Sequence, residues 1–505
     1  TPAIMNDGPI FIAQARAMAA GDWRRALDYD QHPLYPLLTM LAERLTGDWV
    51  TAGVAVSIVS GVAAVLFLYA LLRDTFSRRI AGIGAVLLAV HPYALTFSSD
   101  VQSDGLYLAA FVGALALLWK GLERRSLWFA AGAGLASGIA YLARPEGAGV
   151  ILIGLAVVSL ESARRRWPLM GAARWTIALG LGAALAMAPY IALLSERAGT
   201  LTFTQKKSIQ NLLGIDAFES WIDLDWLQMR EETPHAPPPF APRELAPQLL
   251  SVVPSPKGPL GQGANAAALS ELVQNALSAA RYEIVLVILL GLWALRGPMG
   301  LRGRFMLLAA VLYSLVLYGL VTQAGYVSRR HTLPVSVLLF GYAAAGVPVL
   351  GRGILRVAGT VVRVQRPIQM RSAVAAGLIA VAALSLGKGL RPHRQSALSE
   401  RLAAEWILEH GVSGEAVAAG KHRVAFYAEA PWVDPRRAPR DEPLLPYLRR
   451  QGVRYLVLDE DEQRTLFERD LAAPAGLRLL HEERANGYAA WVYELLQAAP
   501  AQSLE

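Results

Sequence analysis

The sequence predicts a polytopic α-helical membrane protein, with about 10–11 transmembrane helices and a small C-terminal α/β domain outside the membrane. Three observations predict it. Hydrophobic residues make up 54% of the 505-residue chain and its mean hydropathy is +0.35, above the range of ordinary soluble domains. Ten strongly apolar stretches recur, and the loops between them alternate between rich and poor in Lys and Arg. From about Arg391 the composition turns charged and amphipathic.

Residues 1–48 form a first outer loop. It holds two amphipathic segments, Ile10 to Ala20 and Leu34 to Leu45, around the polar run Gly21 to His32, a pattern suited to helices lying on a membrane surface. The transmembrane domain, 49–390, then runs through Trp49 to Leu72, Arg79 to Phe97, Asp104 to Trp119, Leu127 to Ala143, Gly147 to Leu160, Trp175 to Leu194, Tyr282 to Leu295, Gly303 to Val321, Thr332 to Leu350 and Ser372 to Gly387. Crossing a ~30 Å hydrocarbon core takes about 20 helical residues, so Gly147 to Leu160 and Tyr282 to Leu295 are short and are expected to be tilted, broken or partly outside the membrane. A long outer loop occupies 196–281. Between Pro234 and Pro259 it holds nine prolines without periodicity, the composition of a mobile segment.

The last domain, 391–503, has helical spacing over Ser399 to His410 and Leu444 to Gln451. Strand patterns fall at Glu415 to Ala419, Tyr455 to Leu458, Leu477 to Leu480 and Tyr488 to Leu495. At about 100 residues it is large enough for a core of its own.

Charge sets the orientation. Five loops carry most of the short-loop basic residues: Arg73, Arg78 and Arg79; Lys120, Arg124 and Arg125; Arg164, Arg165, Arg166 and Arg174; Arg296, Arg302 and Arg304; Arg352, Arg356, Arg363, Arg366 and Arg371. The positive-inside rule turns these to the cytoplasm. The alternate loops hold His91, Asp100, Asp104, Glu146 and His331, so the side chains suited to chemistry collect on the outer face. With Thr1 to Asp48 outside, an inside amino terminus requires one further helix before Thr1, and Leu504-Glu505 reads as a cloning remnant. Topology and anionic lipid headgroups account for the net charge of +8, and no nucleic-acid partner is expected. The absence of cysteine excludes disulfides, thiolate nucleophiles and Cys-ligated metals.

Every ionisable side chain within the spans is expected near a span's end. A coupled transporter needs polar groups at the midplane, so this distribution favours an enzyme or receptor working at the interface. Asp7, in Asn6-Asp7-Gly8-Pro9, suits a helix N-cap. Asp100 and Asp104 stand four apart; on a helix they share a face, where two carboxylates require a cation, a metal ion or one raised pKa, and capping is the alternative. No His stands at a strong metal spacing, so no cofactor is assigned and a divalent cation is the one candidate. Arg144 precedes Pro145 and Glu146 at a turn. It reads either as an interfacial arginine or as a ligand for phosphate or a partner for the aspartates. Arg329 and Arg330, followed by His331, break the charge rule on an outer loop, as ligands for an anionic headgroup or as interfacial anchors. Lys206 and Lys207 lie in the long loop, where charge is commonly just solvated.

Three places together carry a family resemblance. Asp7 opens the first outer loop, followed by Gly21-Asp22-Trp23 and His32-Pro33-Leu34-Tyr35-Pro36; His91-Pro92 leads to Ser103-Asp104-Gly105-Leu106-Tyr107; and Ser328-Arg329-Arg330-His331-Thr332-Leu333-Pro334 opens a late span. In their order, in the number of spans and in the soluble carboxyl-terminal domain, the chain resembles the GT-C superfamily of polyprenyl-phosphate-sugar-dependent glycosyltransferases, in the branch with the lipid A aminoarabinose transferases and protein O-mannosyltransferases. The resemblance implies that Asp7 is the catalytic carboxylate of the first loop and Asp104 the second acidic position of the same pocket. Substrate-binding candidates are His32, Tyr35, Asp100, Arg144, Glu146, Arg329, Arg330 and His331. The chain departs from the pattern at His32, where relatives often have a lysine before the proline pair, and at Arg330-His331, where Arg-Tyr is usual. Its substrates are therefore expected to differ from those of characterised branches.

The expected function is transfer of a sugar from a polyprenyl-phosphate-linked donor to a hydroxyl of a lipid, glycan or protein acceptor, on the extracytoplasmic face of a bacterial inner membrane. One displacement inverts the anomeric carbon, Asp7 acts as general base, and Arg144, Arg329 and Arg330 stabilise the leaving phosphate. Two rival classes stand beside it. A lipid-linked-sugar flippase predicts internal repeats and midplane polar groups; a non-catalytic scaffold or sensor leaves the aspartates as helix caps.

Overall fold

The computed structural model describes residues 3–206, 264–296, 301–324, 327–362, 367–389, 395–438, 442–463 and 476–496. Lys207 and the proline-rich stretch from Pro234 to Pro259 lie outside the described residues. The described residues divide into two compact units, one of 17–206 with 264–389, the other of 3–16 with 395–496. The first outer loop is thus shared between units, its opening residues belonging with the carboxyl-terminal domain.

Helix α1 is Gly8–Ala19. In the larger unit follow α2 (Trp23–Ala26), α3 (Leu34–Thr46), α4 (Trp49–Thr75), α5 (Arg78–Ala89), α6 (Pro92–Ser98), α7 (Asp104–Arg124) and α8 (Leu127–Ala143). A 3-10 turn at Pro145–Ala148 leads into α9 (Gly149–Ala163) and α10 (Leu169–Ala198). Then come α11 (Ala264–Ala280), α12 (Tyr282–Ala294), α13 (Leu301–Ala324), α14 (Arg329–Leu338), α15 (Phe340–Val362) and α16 (Met370–Gly389). Among the described residues, α4, α7, α9 with its 3-10 turn, α10 and α13 are each long and apolar enough to cross a membrane. The bent pairs α5–α6, α11–α12 and α14–α15 pass the same test together, and α8 and α16 are shorter apolar helices. Each of the ten predicted stretches falls on one of these, the architecture of a multi-pass membrane protein.

Local chemistry sets the ends and the bends. Asp48 and Ser126 cap α4 and α8 by accepting from Thr51 N–H at 2.7 Å and Phe129 N–H at 3.4 Å. The 62° bend between α5 and α6 falls at His91-Pro92, where His91 Nδ1 accepts from Ala94 N–H at 3.4 Å and proline opens the new helix. The 91° bend between α11 and α12 falls at Arg281, whose φ is 63°. That break explains why Tyr282 to Leu295 looked short. Helices α8 and α10 approach backbone to backbone: a Cβ on Gly134 would collide with the Leu179 carbonyl, and one on Gly182 with the Ala131 carbonyl. Helix α7 runs through the core with Phe111, Leu115, Leu118 and Trp119 buried.

The carboxyl-terminal domain contains α17 (Ser396–His410), β1 (Ala416–Ala419), α18 (His422–Tyr427), β2 (Trp432–Val433), α19 (Leu444–Arg450), β3 (Val453–Asp459), β4 (Leu477–Ala485) and β5 (Tyr488–Leu495). The sheet order is β2-β1-β3-β5-β4, with β2, β1 and β3 parallel and the rest antiparallel. Alternation along β3 places Tyr455 and Val457 against α17 residues Ala403, Ala404 and Ile407, while Leu456 and Leu458 join Tyr447 and Leu448 of α19 on the other face. The β4–β5 hairpin turns through Asn486 and Gly487, both at positive φ (53° and 82°). Sequence periodicity finds all of these elements except α18 and β2, which are too short to show a period.

Candidate functional site

In the larger unit, three segments remote in sequence supply one buried charged cluster. Asp104 opens α7, where a carboxylate complements the helix dipole. Arg144 ends α8 in extended geometry (φ −156°, ψ 139°), as the following Pro145 demands. The turn is tight, with Gly147 N–H donating to Arg144 O at 2.9 Å and Ser137 Oγ donating to Gly147 O at 2.9 Å. A side chain at Gly147 would strike the α8 backbone at Ala140 and Tyr141, so only glycine lets Glu146 sit here. The third segment is the start of α14.

These ends meet as an ion network. Arg144 Nη1 donates to Asp104 Oδ1, and Arg144 Nε lies 3.7 Å from Glu146 Oε2. Arg330 Nε stands 4.0 Å from the same Asp104 oxygen, and His331 Nε2 3.8 Å from Glu146 Oε1. Ser328 N–H donates to His331 Nδ1 at 3.2 Å, which makes Nδ1 the acceptor and assigns the proton of the neutral imidazole to Nε2, facing Glu146. Asp104, Arg144 and Glu146 are 6%, 5% and 8% exposed, so their charges are compensated largely by one another. The Arg144 guanidinium also lies 5.7 Å from the Tyr107 ring centroid, and the Tyr107 hydroxyl is 2.8 Å from that of Tyr313.

The other expected residues separate from this network to different degrees. His32 is buried between Tyr141 and Tyr190, with ring centroids 5.0 and 5.3 Å away, and its Nε2 is 3.0 Å from Thr204 Oγ1. Burial, then Lys206, pushes its imidazole down to about 3, so it is neutral at physiological pH. The Tyr35 hydroxyl bonds Gly53 O at 2.8 Å and Ser57 Oγ at 2.9 Å, tying α3 to α4; burial pushes this phenol up. Asp100 lies in the non-helical connection between α6 and α7, where its Oδ1 accepts from Val101 N–H at 2.7 Å. The expected helical face shared with Asp104 therefore does not form. Arg329 is exposed and lies over the Tyr93 ring at 5.6 Å.

Two contributors were not anticipated. Tyr313 sits near the middle of α13, which corrects the expectation that every ionisable side chain lies near a span's end. Lys206, read as solvated, acts electrostatically on His32 and Glu146. Among the described residues no three His, Asp or Glu side chains gather as metal ligands.

Asp7 belongs to the smaller unit. It occupies the N-cap position of α1, its carbonyl accepting from Phe11 N–H at 3.1 Å, and the chain beside it is fastened to the carboxyl-terminal domain by Ile4 N–H donating to the Tyr427 hydroxyl at 3.1 Å.

Residues 30–192 match the family of dolichyl-phosphate-mannose-protein mannosyltransferases. The crystal structure of ArnT from Cupriavidus metallidurans bound to undecaprenyl phosphate is similar over 97% of this chain and 94% of that one, with a TM-score of 0.55 at 15% identity. Its apo state is similar over 97% and 93%, with a TM-score of 0.54 at 16% identity. No curated protein sequence matches significantly. The chain has the fold of the GT-C membrane glycosyltransferases and resembles ArnT and the protein mannosyltransferases.

Proposed function

We propose that the protein is an inverting glycosyltransferase that moves a sugar from a polyprenyl-phosphate-linked donor to a hydroxyl of a lipid, glycan or protein acceptor, at the extracytoplasmic face of a bacterial inner membrane. The observation that carries this reading is the meeting of Asp104, Arg144 to Glu146, and Arg330 to His331 in one buried cluster at helix ends of a GT-C fold. A leaving polyprenyl phosphate gathers charge as the glycosidic bond breaks, and a fixed guanidinium stabilises that charge where water is excluded. Arg330 is the cation assigned to the phosphate, its side chain 22% exposed. Arg144, held by two carboxylates, braces the cluster. Asp7 takes the proton from the acceptor hydroxyl as its oxygen bonds to the anomeric carbon and the bond to phosphate breaks, which inverts the configuration.

Support for a lipid-phosphate donor comes from the match to dolichyl-phosphate-mannose-dependent enzymes and from the similar structure holding undecaprenyl phosphate. The alternation of basic loops supports the orientation. Mass spectrometry of host lipid extracts tests the reading, comparing wild type, a deletion strain and Asp7→Asn at equal expression. A polyprenyl-phosphate sugar that accumulates in the deletion and in the variant is the expected result. Accumulation in the deletion alone, with the variant folded, overturns the role of Asp7; none in either overturns the enzyme.

A further inference from the structure

Beyond α10 the chain does not leave the bundle at once. Thr202, Thr204 and Gln205 are buried, and four hydrogen bonds seat the segment. Thr202 N–H donates to Ser195 Oγ at 2.9 Å, the Tyr141 hydroxyl donates to Phe203 O, and Gln205 Nε2 donates to Leu27 O. Thr204 Oγ1 stands 3.0 Å from His32 Nε2, and it also accepts from Lys206 N–H at 3.3 Å. Residues 202–206 are thereby fixed on two parts of the site. One is the last turn of α8, where Tyr141 lies just ahead of Arg144; the other is His32, just ahead of α3.

Lys206, the residue this tether delivers, differs from the other cations of the site. Arg144 is held by Asp104 and Glu146, and Arg330 stands beside Asp104. Among the described residues the half-buried Lys206 forms no ion pair. Its charge acts on His32 of the first loop, on Glu146 after α8 and on His331 of α14, one from each of the segments that surround the cluster. An ammonium set among other cations is unfavourable until an anion joins them. The identity of residue 32 points the same way. Where the family resemblance expects a lysine, this chain has the neutral His32, and Thr204 ties a lysine of the outer loop to that same ring.

We propose that Lys206 is a second phosphate-binding cation of the site, engaging the phosphate of the lipid-linked donor together with Arg330 while the Thr204 bridge to His32 holds it in place. This rests on the reading of the donor as a lipid phosphate. The two cations contribute differently. A guanidinium is planar and directional, so Arg330 orients the phosphate; an ammonium is a compact charge on a flexible stem, so Lys206 adds attraction without fixing an orientation.

The test uses the full chain in micelles, with undecaprenyl phosphate as the probe and undecaprenol, the same tail without the phosphate, as its control, both read by native mass spectrometry. Wild type is expected to prefer the phosphate. Lys206→Gln is expected to weaken undecaprenyl phosphate about tenfold to a hundredfold, the size of a lost hydrogen bond to a charged group, while undecaprenol binding and the unfolding midpoint stay as in wild type. Lys206→Arg, which keeps the charge, is expected to retain most of the binding. Thr204→Val, which keeps Lys206 but unties it from His32, is expected to fall between wild type and Lys206→Gln; binding equal to wild type overturns the tether. Phosphatidylglycerol separates the two sources of a lipid phosphate, since an equal loss of its binding in Lys206→Gln makes Lys206 a bilayer contact and overturns the donor role. A lowered unfolding midpoint with phosphate binding intact makes Lys206 a partner of Glu146 and also overturns the proposal. Wild-type binding in Lys206→Gln, with binding lost in Arg330→Gln, overturns the second cation and leaves the lipid-phosphate donor standing; no preference of wild type for the phosphate over undecaprenol overturns that donor itself.

Discussion

Arg144→Gln tests whether the charged cluster is a brace. The substitution leaves Asp104 and Glu146, 6% and 8% exposed, without the guanidinium that holds both. Removing one partner of a buried ion pair costs ~3–5 kcal/mol, because the other charge stays buried and unpaired. Arg330 already stands 4.0 Å from Asp104 and can move toward it, which favours the lower end, about 3 kcal/mol. Adding Asp104→Asn to Arg144→Gln removes the stranded charge, so the double variant is expected to recover on the order of 2 kcal/mol relative to additivity. Arg144→Lys keeps the charge but loses the two-pronged geometry that reaches both carboxylates, and falls between. Denaturant unfolding in mixed micelles, followed by tryptophan fluorescence, measures all three. A single Arg144→Gln within about 0.5 kcal/mol of wild type, or strict additivity in the double variant, refutes the brace.

Arg330→Gln is expected to weaken binding of a polyprenyl phosphate about tenfold or more, as read by native mass spectrometry, with the unfolding midpoint unchanged. Tyr107→Phe strands the buried Tyr313 hydroxyl and costs about 1–3 kcal/mol, whereas Tyr107→Phe with Tyr313→Phe costs less than either single loss suggests, which a double-mutant cycle measures. Gly134→Leu is expected to abolish the folded state by driving α8 from α10, while Gly180→Ala, where nothing lies within 4 Å, stabilises by up to about 1 kcal/mol; thermal unfolding compares them. Glu462 is pushed up to about 7 by burial and then Asp459, so the folded chain keeps a proton that the unfolded chain releases at lower pH. Its contribution to stability is full below the ordinary glutamate pKa and is lost as pH rises through about 7, so β3 amides are expected to exchange with a larger opening constant at pH 8 than at pH 5, and Glu462→Gln to remove the difference.

The sequence reveals what is periodic or long. Apolar runs locate every span, and alternation locates β3 and β5, because those signals extend over many residues. The breaks divide by cause. Pro92 announces the bend at His91, but Arg281 has no proline or glycine beside it, so its positive φ and the 91° turn have no such local signature in the sequence. The site was legible at its helix ends: Asp104 needs a cation and Arg144 at a pre-proline turn supplies one. Tyr313 was not, since a tyrosine within an apolar span looks like core until its hydroxyl meets another across the bundle. The association of residues 1–16 with the carboxyl-terminal domain has no local signature either, because it joins the two ends of the chain.

The charge balance of the cluster separates roles that sequence position left merged. Asp104 and Glu146 bring two negative charges; Arg144, Arg330 and Lys206 bring three positive ones, and His331 is neutral in the tautomer that Ser328 imposes. Among these named groups the sum is one positive charge. A fully compensated cluster repels a phosphate by the cost of desolvating it, and a strongly cationic one holds it too tightly to let it leave. An excess of one charge suits an anion that must bind as part of the donor, gain charge as the sugar departs, and then go. In the proposed mechanism the two carboxylates keep the arginines apart in function: Asp104 and Glu146 hold Arg144 as scaffold, and that scaffold would present Arg330 to the donor phosphate.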